Sequence, residues 1–141
     1  KNYREARSRK EKNILPLLID FTNPSPATGW SNEERMSLLS RGPADLAMAL
    51  ALIHHLAISN NLPLDRIADF FSKVCTSLVI EFVPKSDSQV QKLLKTRKDV
   101  FPDYDQGNFE KELSRLFEIK KKQNLSDSKR TLYLMTKRQY V

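Results

Sequence analysis

Few side chains in this 141-residue sequence could carry chemistry, and they sit at the ends of apolar runs. His54 and His55 follow eight consecutive apolar residues, Leu46 to Ile53. Glu81 stands inside a second apolar run, Leu78 to Val83. Asp20 closes a third, Ile14 to Ile19, just before a Pro-rich segment. A histidine is the side chain whose ordinary pKa suits general-base work near neutral pH. Adjacent helical residues point about 100° apart, so at most one of the pair can serve a single site. His54, nearer the run, is the better candidate, with His55 toward a substrate. They form a poor metal pair, because helical ligands favour i, i+4 spacing, and no metal is expected. The competing reading is one buried histidine and one at the helix surface.

Glu81 is expensive to bury alone. It therefore either faces a cleft, as a second catalytic candidate, or pairs with a basic residue. Trp30, Phe101 and Tyr104 fall on loop segments and could wall a substrate, or simply pack as a lid. Cys75 ends a helical apolar stripe and reads as core, since free cysteines are among the most buried residues. With one cysteine, neither a disulfide framework nor a Cys-cluster metal site can form.

These residues need elements to position them. The run from Leu46 is far too short for a bilayer, which takes about 20 residues. It fits a strand covered on both faces, with its polar end where open α/β sheets place ligands. Ile14–Ile19 reads as another strand. Ser31 to Glu34 resembles a capping box opening a helix through Leu39. A short helix follows from about Leu52 to Ser59. Leu64, Ile67, Ala68, Phe71, Val74 and Cys75 keep helical spacing. Leu78–Val83 is a strand, Ser86 to Gln89 can cap a helix carrying Val90, Leu93 and Leu94, and Phe109, Leu113 and Leu116 mark another helix. Phe117–Lys122 and Arg130–Lys137 form a hairpin around a polar turn. Strands alternating with helices mean an α/β layered domain, with an antiparallel hairpin making the sheet mixed.

Net charge is +7, distributed as +4 over residues 1–12, −3 over 13–91 and +6 over 92–141. Residues 1–12 read as a charged remnant of a helix. The basic end is either a solvated face or an attractor of nucleic acid or another anion. Absence of a membrane-length run or signal-like core makes a cytoplasmic location the default expectation.

The ordered motifs resemble the second part of a class I S-adenosylmethionine-dependent methyltransferase, over roughly residues 13–137. ADLAMALALIHHL resembles that family's fourth strand, LVIEFVPKSD its fifth, and FEIKKKQ with RTLYLMTK its closing sixth and seventh. NILPLLIDFTNPSPATGW and FVPKSDSQVQKLL further resemble a nodulation-related bacterial subgroup. The resemblance implies a Rossmann-like mixed sheet of strand order 3-2-1-4-5-7-6. It also implies Asp20 on the adenine amine with Phe21 beside the ring, and Leu50 and Ala51 along the cofactor. The acceptor is a small molecule or macromolecule that the resemblance does not identify.

The first two strands and their Gly-rich turn have no counterpart. Only Gly29, Gly42 and Gly107 occur, none in a phosphate-cradling pattern. The chain is thus expected to be a single partial domain, the C-terminal portion of a longer enzyme, inactive alone and a poor binder of the cofactor. Between Ile14–Ile19 and Leu46–Leu50 the sheet would carry a two-strand gap, roughly 10 Å beyond normal pairing. A further part of the protein, a second copy, or relocation of Ile14–Ile19 would resolve it. Self-association along the Leu46–Leu50 edge is the expectation. The alternative function is a non-catalytic module that binds anionic partners through the basic end.

Overall fold

The computed structural model describes residues 2–95 and 99–139. It is a mixed α/β fold on one open four-stranded sheet. The first strand, β1 (Ala44–Ala49), pairs in parallel with β2 (Cys75–Phe82), with Ala47 opposite Leu78 and Ala49 opposite Ile80. A parallel pair requires a crossover. Here it consists of a π-helical turn, His55–Ser59, and an α-helix that we number among four in chain order. These are α1 (Asn2–Ser8), α2 (Leu64–Val74), α3 (Ser88–Leu94) and α4 (Gln106–Ser114). The hairpin of β3 (Phe117–Asn124) and β4 (Thr131–Lys137) closes the sheet, and β4 pairs antiparallel to β2. Strand order is β1-β2-β4-β3.

One face of this sheet carries the core. Ala49, Leu78, Ile80, Phe82, Tyr133 and Met135 project to it and are buried, with Ile67, Ala68 and Phe71 of α2 and Phe109 and Leu113 of α4 in the same cluster. An aromatic series runs through it: Tyr104 stacks on Phe82, Phe82 meets Phe109, and Phe109 meets Tyr133, at centroid distances of 5.1–5.4 Å. Offset and edge contacts of this kind add to area burial. Cys75 is buried and bonds the Phe71 carbonyl through its thiol; burial raises its pKa.

Caps hold the helices that flank the site. Asp87 accepts the Gln89 N–H at 2.9 Å to open α3, and Asp105 accepts the Asn108 N–H at 2.9 Å to open α4. Replacing Asp105 with alanine should cost about 1 kcal/mol, the usual worth of an N-cap. Urea denaturation with an unchanged slope would register it; a loss below a few tenths would refute the cap's contribution.

Three expectations fail. Ile14–Ile19 is not a strand: the segment has no regular secondary structure, and Ile14, Leu15, Leu17 and Leu18 lie in solvent. No described strand lies beside it, so it has no ladder to join. Ser31–Leu39 is not a helix but two short 3-10 turns, Trp30–Asn32 and Leu39–Arg41. Ser31 has a φ of 54°, which the start of a right-handed helix does not permit. Gly29 before it sits at φ 93°, and a Cβ there would meet Glu34. Finally, β1 is not buried on both faces. Ala47 and Ala49 turn to the core, but Leu46, Met48 and Leu50 are half or more exposed, Met48 at 64%. The register sets Met48 beside Val79 and Leu134, so one apolar face of the sheet lies open along with the β1 edge.

The terminal charged segment does form a helix, α1, with no buried residue and one Glu5–Arg9 pair at 2.6 Å. No described helix is long and apolar enough to cross a membrane.

Candidate functional site

At the carboxyl ends of β1 and β2, four charged or titratable side chains meet one strained backbone position. Glu81, the last residue but one of β2, is 6% exposed. Its two carboxylate oxygens do different work. Oε2 accepts the backbone N–H of Ala51 at 2.6 Å, and Oε1 accepts from Arg130 Nη1 at 3.3 Å. Arg130, just before β4, also donates to Asp87: Nε to Oδ2 at 2.8 Å and Nη2 to Oδ1 at 3.3 Å. The Arg130 fork holds the Asp87 carboxyl below the ordinary carboxylate range. Planar guanidinium forks suit such paired carboxylates.

Ala51 adopts φ 50°, the left-handed region. A non-glycine residue there costs on the order of 1–2 kcal/mol. The short bond to the Glu81 carboxylate holds the Ala51 N–H in place. Such outliers cluster at functional sites, where surrounding structure over-determines them.

His54 follows this turn and is 2% exposed. Burial, then the neighbouring His55 and Arg130, pulls its pKa down to about 4, against weaker opposing effects of Asp87 and Glu81. It is therefore neutral at pH 7. Its Nδ1 is buried with no hydrogen-bond partner among the described residues. His55 is exposed, with its ring 4.2 Å from that of His54. The carbonyl of His55 accepts both the N–H of Asn60 at 3.1 Å and its side-chain amide at 2.9 Å, which closes the π turn. π-Helical turns occur mostly as such single insertions, often at sites.

The structure thus brings together His54, Glu81 and Ala51, with Leu50 half-exposed beside them. The other candidates lie apart from this group. The Asp20 carboxylate bonds the Thr22 N–H at 2.8 Å and hydroxyl at 2.7 Å in an exposed Asx turn, which lowers its pKa. Phe21 lies edge-on to Phe70 of α2 at 6.0 Å, in a small cleft of about 210 Å³ that also involves Leu56 and Ile67. Trp30 is 85% exposed on its 3-10 turn. Phe101 and Tyr104 do share a wall, lining a cleft of about 700 Å³ with Ala57, Leu62 and Arg115. Tyr104 is also structural: buried, it donates its hydroxyl to the Val83 carbonyl at 2.7 Å, and burial raises its pKa.

Arg130 and Asp87 are the site residues that sequence reasoning missed. A basic partner for Glu81 was one of the two expectations. Nothing local pointed to Arg130, which is 49 residues away. In the basic C-terminal region, Lys120 pairs with Glu118 and Lys122 with Glu110, each at 2.6 Å, while Lys121 is exposed. Among the described residues no group of three or more His, Cys, Asp or Glu gathers as a metal site.

Among known proteins, the chain is similar to the nodulation protein NoeA of Rhizobium meliloti (strain 1021). They share 44% identity over 122 residues, 86% of this chain and 26% of that protein. The chain therefore spans about a quarter of the length of that relative. No protein-family model matches it, and no solved structure matches it.

Proposed function

We propose that this chain is one part of a longer S-adenosylmethionine-dependent methyltransferase and forms the side of its cleft that faces the methyl acceptor. The observation that carries the proposal is the sheet. Its order β1-β2-β4-β3, with one parallel and two antiparallel pairings, corresponds to the last four strands of the order 4-5-7-6 that the motifs led us to expect. The bare β1 edge and the open apolar face around Met48 supply a surface for the remaining strands. The partial span of the NoeA relative is compatible with such a remainder.

The residues present fit one wall of a cofactor pocket. Leu50 and Ala51 follow directly after β1 and can shape an apolar surface there. Asp20 and Phe21 do not join them: the Asp20 carboxylate is engaged by Thr22, and Phe21 is docked on α2. No Gly-rich turn is present to offer backbone donors. When bound, the cofactor supplies an electrophilic methyl group. What this chain contributes is positional. Ala51 is fixed by Glu81, and the enclosed ring of neutral His54 supports the turn from beneath. With its pKa near 4 and its ring enclosed, His54 is poorly suited to deprotonate an acceptor.

Calorimetry should detect S-adenosylmethionine binding by the longer polypeptide and little or none by residues 1–141; no binding by the longer polypeptide would sink the proposal. The open edge also predicts self-association of the isolated 141-residue chain. Met48→Lys should abolish it in light scattering with under about 0.5 kcal/mol of stability change, as expected for an exposed site. A monomeric parent chain would count against that edge being adhesive.

A further inference from the structure

We propose that Arg130 is a positioning residue: its guanidinium clamps Glu81 and Asp87 together and thereby fixes the Ala51 backbone and the His54 side chain at the end of β1. The inference adds to the methyl-transfer reading and does not depend on it, because the clamp can be read out without cofactor or acceptor.

Arg130 joins two neighbouring carboxylates to a part of the chain more than 40 residues away. Arg130 lies at the entry to β4, Asp87 at the cap of α3, and Glu81 near the end of β2. The contacts are arranged in series. Arg130 holds Oε1 of Glu81, which leaves Oε2 aimed at the Ala51 N–H. Released from Arg130, the Glu81 carboxylate could rotate, and the short bond to Ala51 would lengthen or break. Ala51 would then lose the contact that opposes its left-handed strain. His54 follows three residues later, so any relaxation of that turn moves its ring.

Charge points the same way. The groups that act on His54 are His55, Arg130, Asp87 and Glu81. Two carboxylates and one guanidinium leave the cluster one negative charge in excess while His54 is neutral. Removing the guanidinium leaves two uncompensated carboxylates beside the imidazole, which favours its protonation. The clamp therefore also helps keep His54 neutral. Lysine cannot replace it, because one ammonium cannot bond both carboxylates as a planar fork does.

The test is NMR on the 141-residue chain. In Arg130→Gln the Ala51 amide proton should shift upfield and exchange about tenfold faster, the loss of one charge-assisted hydrogen bond. The His54 titration midpoint should rise. Arg130→Lys should produce the same changes at smaller amplitude. A folded Arg130→Gln chain with the Ala51 amide and His54 midpoint unchanged would overturn the proposal. Should that variant fail to fold, Arg130→Lys decides the matter, and an Ala51 amide and His54 midpoint unchanged in it would overturn the clamp.

Discussion

Replacing Glu81 with alanine should lower the stability of this chain by about 3 kcal/mol. The substitution leaves the part-buried Ala51 N–H without its acceptor, which costs on the order of 1–3 kcal/mol. It also removes one of the two carboxylates that hold Arg130. Breaking a buried pair by deleting one partner is strongly destabilising, but Arg130 is a quarter exposed and keeps Asp87, which moderates the loss. Glu81→Gln preserves an acceptor for Ala51 and loses only the charge, so it should cost about 1 kcal/mol. Urea denaturation of both variants separates the contributions. Equal losses for Ala and Gln would mean that the charge, not the bond to Ala51, carries the effect. An alanine variant within about 0.5 kcal/mol of the parent would show the contact to be stabilising nothing.

The second large effect concerns pH. His54 has its folded pKa depressed to about 4, whereas the unfolded chain titrates it near 6.5. Between those values the unfolded state takes up a proton that the folded state refuses. Stability therefore falls as pH drops from about 6.5 toward 4, by about 3 kcal/mol in all, and His54 contributes no slope above that window. Asp87 and Glu110 add a separate loss at lower pH. Their folded pKa values are lowered, Asp87 chiefly by its bond to Arg130 and Glu110 by its bonds to Lys122 and Tyr133 against the cost of burial. Their contribution disappears only as pH falls through and below the ordinary carboxylate range. In His54→Gln the slope between pH 6.5 and 4 should flatten while the carboxylate loss persists. An unchanged slope in that variant would place the titrating group elsewhere.

The same two residues show where sequence reasoning succeeded and where it stopped. β2 and the hairpin were legible because their apolar runs and the polar turn between β3 and β4 are local signals. The α2 stripe was legible because its period matched the face it buries. Ile14–Ile19 has the composition of a strand, but a strand exists only by pairing, and composition does not show whether a neighbour is present. Ser31–Glu34 has the spacing of a capping box, yet the helix it would open has too little buried surface to repay nucleation. For β1 the apolar run marked the strand correctly and misjudged its surroundings, since burial depends on what else covers the sheet.

The site was half legible. Glu81 declared itself because a carboxylate in an apolar strand must be satisfied, and His54 because it ends the β1 run. Arg130 and Asp87 could not be singled out, since ion pairs 43 and 49 residues apart leave no periodicity. The positive φ of Ala51 was likewise invisible, because alanine is not a residue that signals a left-handed turn. Asp20 and Phe21 were expected beside Leu50 and Ala51 and are instead engaged by Thr22 and α2. Any cofactor role for them would require the segment from Ile14 to Phe21 to take up a strand position against further polypeptide.

Amide hydrogen exchange on the longer polypeptide, with and without saturating S-adenosylmethionine, tests the central proposal most directly. The expected result is added protection across residues 44–52, centred on Leu50 and Ala51, with the hairpin of β3 and β4 unchanged. Saturating cofactor that leaves residues 44–52 exchanging at their former rate would contradict a cofactor cleft at the end of β1.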